Sequence, residues 1–254
     1  SEVRFYLKPC DPSLLQGDLN NDCRVDLADF SEFAQEWLYE ATPGDTYIGA
    51  AKITAAASGD QWEQYPSCTI DGSGLDSTGT MHDNQWATPR SMWNAPAEAG
   101  ISNPHPGTVS CDNWIVYEFD QAYPLETLWV WNFNVENNTG PGLKDVVIQY
   151  SLTGGSDSSE WQTLGQYQIP QATGTSDYIG SAVADFNGVE AKYVCLSVYS
   201  DWNSPYGDQG LAEVRFYIHP CASTGLKSDF NQNCTVDVSD LIIFVQEWLE
   251  FRTD

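Results

Sequence analysis

Residues 113–133 read NWIVYEFDQAYPLETLWVWNF. Apolar and polar side chains alternate through Trp114–Phe119 and again through Thr127–Phe133, the period-two pattern of half-buried strands. The same alternation returns in DVVIQYS (145–151), KYVCLSV (192–198) and EVRFYI (213–218), with clusters of Gly, Pro, Asn and Ser between them. Many short strands with turn punctuation predict a β-sandwich or jelly roll between Tyr47 and Pro220. Trp129 and Trp131 alternate within one strand and read as core.

Outside that body lies a repeat. Ser1 to Pro43 aligns without gaps to Ala212 to Asp254, offset by 211 positions, and 20 of the 43 positions are identical. Each copy carries a strand-like segment, SEVRFYLKPC or AEVRFYIHPC, followed by an acidic loop and a helix-like pattern. A chain that begins with the tail of a unit whose body occurs once has the look of a piece from a repeating array.

With 10 basic against 36 acidic side chains, the chain of 254 residues has a formal charge of −26. Such a surface repels phosphate backbones and anionic lipid, so neither nucleic acid nor membrane insertion is expected. No apolar run reaches the length that spans a bilayer. Without an initiator Met or signal peptide, the sequence reads as a mature chain, and the expected location is extracellular or at a cell surface.

Cys10 and Cys23 are 13 positions apart, as are Cys221 and Cys234. Each repeat thus has its own candidate disulfide, worth about 3 kcal/mol in the chain-entropy account and persistent only in oxidising surroundings. Cys68 and Cys111 are assigned a third bridge, and Cys195 reads as a buried free thiol. Without CxxC, and with His82, His105 and His219 as the only histidines, zinc is not expected.

In the first loop, Asp18, Asn20, Asp22, Arg24, Asp26 and Asp29 occupy positions 1, 3, 5, 7, 9 and 12 of a twelve-residue frame. The second repeats it with Asp229, Asn231, Asn233, Thr235, Asp237 and Asp240. Alternate oxygen-bearing side chains in a tight loop suit calcium, and position 7 offers its backbone carbonyl, which tolerates Arg24. The competing reading is an Asx-rich turn that caps a helix. Leu27, Phe30, Phe33, Trp37 and Leu38 then recur at helical spacing, as do Val238, Leu241, Phe244, Val245, Trp248 and Leu249, predicting an apolar stripe that needs a partner. Ending in Asp at position 12 and lacking an incoming helix, these loops resemble the dockerin type. Dockerins place two such units in tandem, whereas here the whole body separates them.

The order SCTIDGSGLDSTGTMHDNQWAT, NWIVYEFDQAYPLETLWVWNF, GLKDVVIQYSLTGG and LAEVRFY is similar to the coagulation-factor 5/8 type C, or discoidin, domain, whose bacterial relatives include family 32 carbohydrate-binding modules. The expected fold is therefore mainly β: a discoidin-like jelly-roll β-sandwich over 46–220, with an orphan strand at 1–9 and α-helical dockerin-like half repeats at 10–43 and 221–254. The resemblance implies a structural calcium held by Asp71, Asp76, Thr78 or its neighbours, and Glu213. It also implies ligand binding by loop residues, for which Trp62, Trp86, Trp93, Trp202 and Tyr206 are the aromatic candidates for stacking on a sugar. Asn137-Asn138-Thr139 is a glycosylation sequon with Asn137 as acceptor, and Asn233 of a second sequon is already assigned to calcium.

No GxSxG, HExxH or phosphate-binding glycine loop occurs, so a non-catalytic protein is expected. The first functional reading is a calcium-stabilised subunit that binds copies of itself head to tail through the orphan strand and half repeats, as an extracellular filament or array. The alternative is a glycan-binding adhesion module within a larger secreted protein.

Overall fold

The 20-residue strand β5 (Asn113–Asn132) organises the body. The computed structural model describes residues 16–38, 47–86, 90–103, 109–219, 221, 226–231 and 233–248. These divide into two compact units, Asp45–His219 and a second built from Ser1–Gly44 with Pro220–Asp254.

In the larger unit β1 (Ile53–Ala57) pairs antiparallel with the first half of β5. Two edge elements follow β1, β2 (Trp93–Pro96) and a ribbon of β3 (Ile101–Asn103) with β4 (Val109–Cys111). Beyond β5 come β6 (Asp145–Ser151), β7 (Gln162–Gln168), β8 (Ser181–Val198) and β9 (Asp208–Ile218). The strand order is β2-β9-β5-β8-β6-β7. The pairing of β5 with β8 breaks register between Glu118 and Tyr123. Each long strand therefore serves two layers: the first half of β5 meets β1 and the end of β8, the second half meets β9 and the start of β8. Strands that switch layers at an irregularity are how a sandwich makes its corners.

Between the layers Ile115, Tyr117 and Phe119 point inward with Leu125, Leu128, Val130, Ile148, Leu196 and Phe216, while Glu118 faces out. Phe216 meets the rings of Tyr117 and Phe119 edge-on at 5.2 and 5.0 Å. Each such side chain contributes about 1.5–3 kcal/mol on full burial. The Tyr117 hydroxyl keeps a partner in Thr69 Oγ1 at 3.1 Å, so burial leaves no orphan.

The smaller unit has helices α1 (Leu27–Glu36) and α2 (Val238–Gln246). Each starts in a capping box, Asp26 with Asp29 and Asp237 with Asp240, which satisfies N–H groups that the helix leaves free. Phe33 and Phe244 stack at 5.4 Å in a core with Leu19, Val25 and Val236. The two repeats therefore pair within one chain. The expected stripe is only partly buried: Leu27, Leu38, Val238 and Val245 are exposed. Leu27 and Val238 stand first after their caps, outside the row that carries Phe33 and Phe244.

Cys221 and Cys234 form the expected disulfide, with Cα atoms 4.9 Å apart. Cys23 is also disulfide-bonded; Cys10, assigned to it, the orphan strand and Leu249 lie outside the described residues. The assigned Cys68–Cys111 bridge is absent, and Cys68, Cys111 and Cys195 are buried free thiols. Cys68 sits in a short helical turn, its Sγ 3.6 Å from the Arg90 carbonyl. Cys111 belongs instead to the β3–β4 ribbon, whose Asn103 lies on Cys195 and Ser197 of β8.

Candidate functional site

Loops that follow β1, β5 and β8, and the one that precedes β2, meet at one cleft. Trp62, Trp86, Val135, Asn138, Tyr206 and Asp208 line it, around a space of about 310 Å³. Trp62 and Trp86 meet edge to face at 5.9 Å, and Trp86 meets Phe133 at 6.0 Å. The Arg90 guanidinium lies 5.1 Å over the Trp86 ring and donates to the Trp86 carbonyl. Trp62 and Tyr206 stay 57% and 75% exposed, so their apolar rings are presented to solvent. Below them the buried Asp208 accepts from Asn94 Nδ2 at 3.1 Å, from Gln61 Nε2 at 3.4 Å and from the Ser204 hydroxyl. Aromatic walls around a fixed hydrogen-bonded acceptor suit a ligand with apolar faces and hydroxyl edges.

Three of the five aromatic candidates converge here. Trp93, expected on a loop, is instead the first residue of β2, fully buried, paired with Leu211 and donating from Nε1 to the Gly59 carbonyl. Trp202 donates to the Ile169 carbonyl and lies under Lys144 Nζ at 5.1 Å, away from the cleft lining. Val135, Asn138 and Asp208 carried no sequence signal. Asn137 is exposed at the turn between Val135 and Asn138, beside the cleft.

Glu213 on β9 is buried, and both its carboxylate oxygens accept from the Gly72 N–H at 3.2 and 3.3 Å. Burial first, then the charge of Asp71, pushes its carboxyl up to about 8. A buried acid kept beside another acid is a donor set suited to a hard cation. Asp76 accepts from the N–H groups of Met81 and Thr80 and from the Thr78 hydroxyl, which hold its carboxyl well below the usual range. That turn leads into His82, whose ring crowds Gly74. A Cβ there would stand 2.5 Å from the imidazole, and the φ of +82° favours glycine as well.

Among the described residues, one group of three acidic, His or Cys side chains gathers ligand atoms within 4.8 Å of one another: Asp18, Asp22 and Asp29. Asp71, Asp76 and Glu213 form no such group. Asp18 accepts from the N–H groups of Asp22 and Cys23, Asn20 from Asp22, Asp22 from Arg24, and Asp29 from Asn20 and Asp26. The second loop repeats each bond: Asp229 accepts from Asn233 and Cys234, Asn231 from Asn233, Asn233 from Thr235, and Asp240 from Asn231 and Asp237. Asp29 and Asp240 are fully buried. Carboxylates held this close repel one another, and a divalent cation removes that penalty.

No protein-family model matches the chain, and no curated protein does. Among solved structures, it is similar to the family 32 carbohydrate-binding module of Clostridium perfringens NanJ in complex with galactose, at 14% identity over 68% of this chain and 98% of that one, with a TM-score of 0.45. A C. perfringens family 32 module in complex with GalNAc-β-1,3-galactose has 14% identity over 67% and 99%, with a TM-score of 0.45. A Streptococcus pneumoniae fucose binding module has 14% identity over 68% and 97%, with a TM-score of 0.43.

Proposed function

We propose that this chain is a non-catalytic, secreted glycan-binding module, with the cleft of Trp62, Trp86 and Tyr206 as its sugar site. The observation that carries the reading is the convergence of three solvent-facing aromatic rings from separate loops above one buried, hydrogen-bonded carboxylate. Rings stack on the apolar faces of a sugar, while Asp208 and Asn138 take its hydroxyls. The Cys221–Cys234 disulfide supports an extracellular setting. A glycan array probed with the full chain and with Trp86→Ala and Tyr206→Ala tests it. The expected result is a discrete set of positive glycans lost in both variants; a flat array, or signals indifferent to both substitutions, refutes the reading.

Calcium belongs to the same proposal. Asp18, Asn20, Asp22, Asp26 and Asp29, with the Arg24 carbonyl, would hold one ion; Asp229, Asn231, Asn233, Asp237 and Asp240, with the Thr235 carbonyl, would hold another. Asp71 and Glu213 are the carboxylates for a third in the body. The ion supplies positive charge that lets closely packed oxygens coexist and fixes the loops.

Head-to-tail assembly requires half repeats that lack a partner in their own chain. The half repeats partner each other within the chain, and the orphan strand lies outside the described residues.

A further inference from the structure

On the outer face of the β6–β7 edge lies a second concavity, of about 540 Å³, which the cleft does not use. Its geometry follows from register. Asp145 pairs with Gln168 and Val147 with Gln166, so these four side chains share one face, while Val146 and Ile148 turn into the core. Tyr199 follows β8 and donates its N–H to the Asp145 carbonyl at 2.9 Å, which brings it into the same row. Tyr199, Asp145 and Gln168 thus stand side by side across three chain segments. At a strand spacing of about 4.8 Å the row spans roughly 10 Å, the length of about two sugar rings.

The row's chemistry is built. The Ser200 hydroxyl donates to Asp145 Oδ2 at 2.5 Å, and Gln168 Nε2 donates to Oδ1 at 3.2 Å. These bonds hold the carboxyl below the usual carboxylate range, so it remains an acceptor with lone pairs to spare. They also orient the Gln168 amide, leaving its oxygen for a further donor. Tyr199 is 39% exposed and offers a ring. Among the described residues that line the groove none is basic; the adjacent Lys144 sits over Trp202 and adds only the last of the effects on the Asp145 carboxyl. An ionised carboxylate, two amides and the rings of Tyr199 and Tyr167, with the nearest cation engaged by Trp202, favour a neutral polyhydroxyl ligand over an anionic one.

We propose that this groove is a second carbohydrate site, which takes a neutral oligosaccharide chain with one ring on Tyr199 and adjacent hydroxyls on Asp145 and Gln168. It stands independently of the cleft. An extended peptide added to the β7 edge is the competing occupant; main-chain pairing would carry it, and no sugar would be retained.

Affinity electrophoresis of the full chain through gels of galactan, glucomannan, xylan or mixed-linkage β-glucan, with polygalacturonate as the anionic gel, tests the site. The background is Trp86→Ala/Tyr206→Ala, which removes the cleft rings. At least one neutral gel is expected to retard this variant; adding Tyr199→Ala weakens retention about fivefold, as loss of an aromatic stacking face does, and Tyr199→Phe preserves it. Melting temperatures of all variants check that each is folded. Retention abolished by the cleft substitutions alone overturns the proposal, as does retention indifferent to Tyr199→Ala, retention by polygalacturonate alone, or none in any gel. Cleft substitutions that change nothing while Tyr199→Ala abolishes retention would refute the cleft and leave the groove standing.

Discussion

Glu36 Oε2 accepts the backbone N–H of Ser228 at 2.8 Å, across 192 positions of sequence. The relation is reciprocal: Glu247, which is Glu36 moved on by 211, accepts the N–H of Gly17 at 2.6 Å, and Gly17 moved on by 211 is Ser228. Each carboxylate from the end of one repeat's helical region thus pins the other repeat's loop one residue before its first ligand position, Asp18 or Asp229. A lone helix of this length is marginal in water, so neither repeat is complete without its twin. Replacing both glutamates with Ala leaves two N–H groups without these partners and should cost about 1–3 kcal/mol each. Urea unfolding followed by helical circular dichroism reads the loss, and an unchanged midpoint would show that the clamps carry no weight.

Calcium removal should act first on the same unit. Asp29 and Asp240 are buried, and the Asp18, Asp22 and Asp29 oxygens crowd within 4.8 Å. Without a cation their repulsion opposes the loop, and the capping boxes that start both helices share these residues. Chelation should lower the helical signal and expose both ends to protease while the β-sheet signal persists. Ends that stay resistant would refute the calcium assignment of both loops.

The parts of this architecture that were legible in sequence are local ones. Each acidic loop and the capping box that follows it fall within twelve residues, so spacing alone reveals the turn and the helix start, and the alternation in β5 survives its register break between Glu118 and Tyr123. The Cys221–Cys234 bridge was legible for the same reason, its partners being close in sequence. Trp93 was not: β2 is four residues long and ends in Pro96, which an edge strand tolerates and a loop also contains. Nor was the cleft, because Trp62, Asn138 and Asp208 come together only when distant loops close over one end of the sandwich. The Cys68–Cys111 pairing failed likewise, since distance along the chain says nothing of which layer a thiol occupies.

Core and cleft tryptophans should separate cleanly by stability. Trp93 is fully buried in β2, so Trp93→Ala should destabilise by about 3–5 kcal/mol. Trp86 stands 37% exposed at the cleft, and Trp86→Ala should cost about 1 kcal/mol or less. Paired thermal melts decide it, and equal losses would mean that Trp86 is structural.

The three free thiols should be silent in the folded protein. Burial pushes Cys195 up to about 12 and Cys111 up to about 11, and it also raises Cys68. Protonated, buried thiols do not attack disulfide reagents at pH 8. Titration should therefore find none of these three before denaturation and all of them after it. Fewer than three in denaturant would mean that one of them had entered a disulfide.

Glu213 should make stability in chelator depend on pH with an unusual sign. Its folded carboxyl is raised to about 8, above its ordinary value of 4.5. Between those values the folded chain holds a proton that the unfolded chain has released, so stability falls as pH rises from about 4.5 to 8 and then levels off. The contribution is fully present below 4.5. Glu213→Gln, neutral at every pH, should flatten that decline in chelator. In calcium the wild-type decline should also vanish, because an ion beside Asp71 and Glu213 keeps the carboxylate charged in the folded state. Urea midpoints at pH 5 and pH 8, with calcium and with chelator, separate the two causes. A decline that persists in Glu213→Gln assigns it to other groups, and one that calcium leaves untouched removes Glu213 from the ligands.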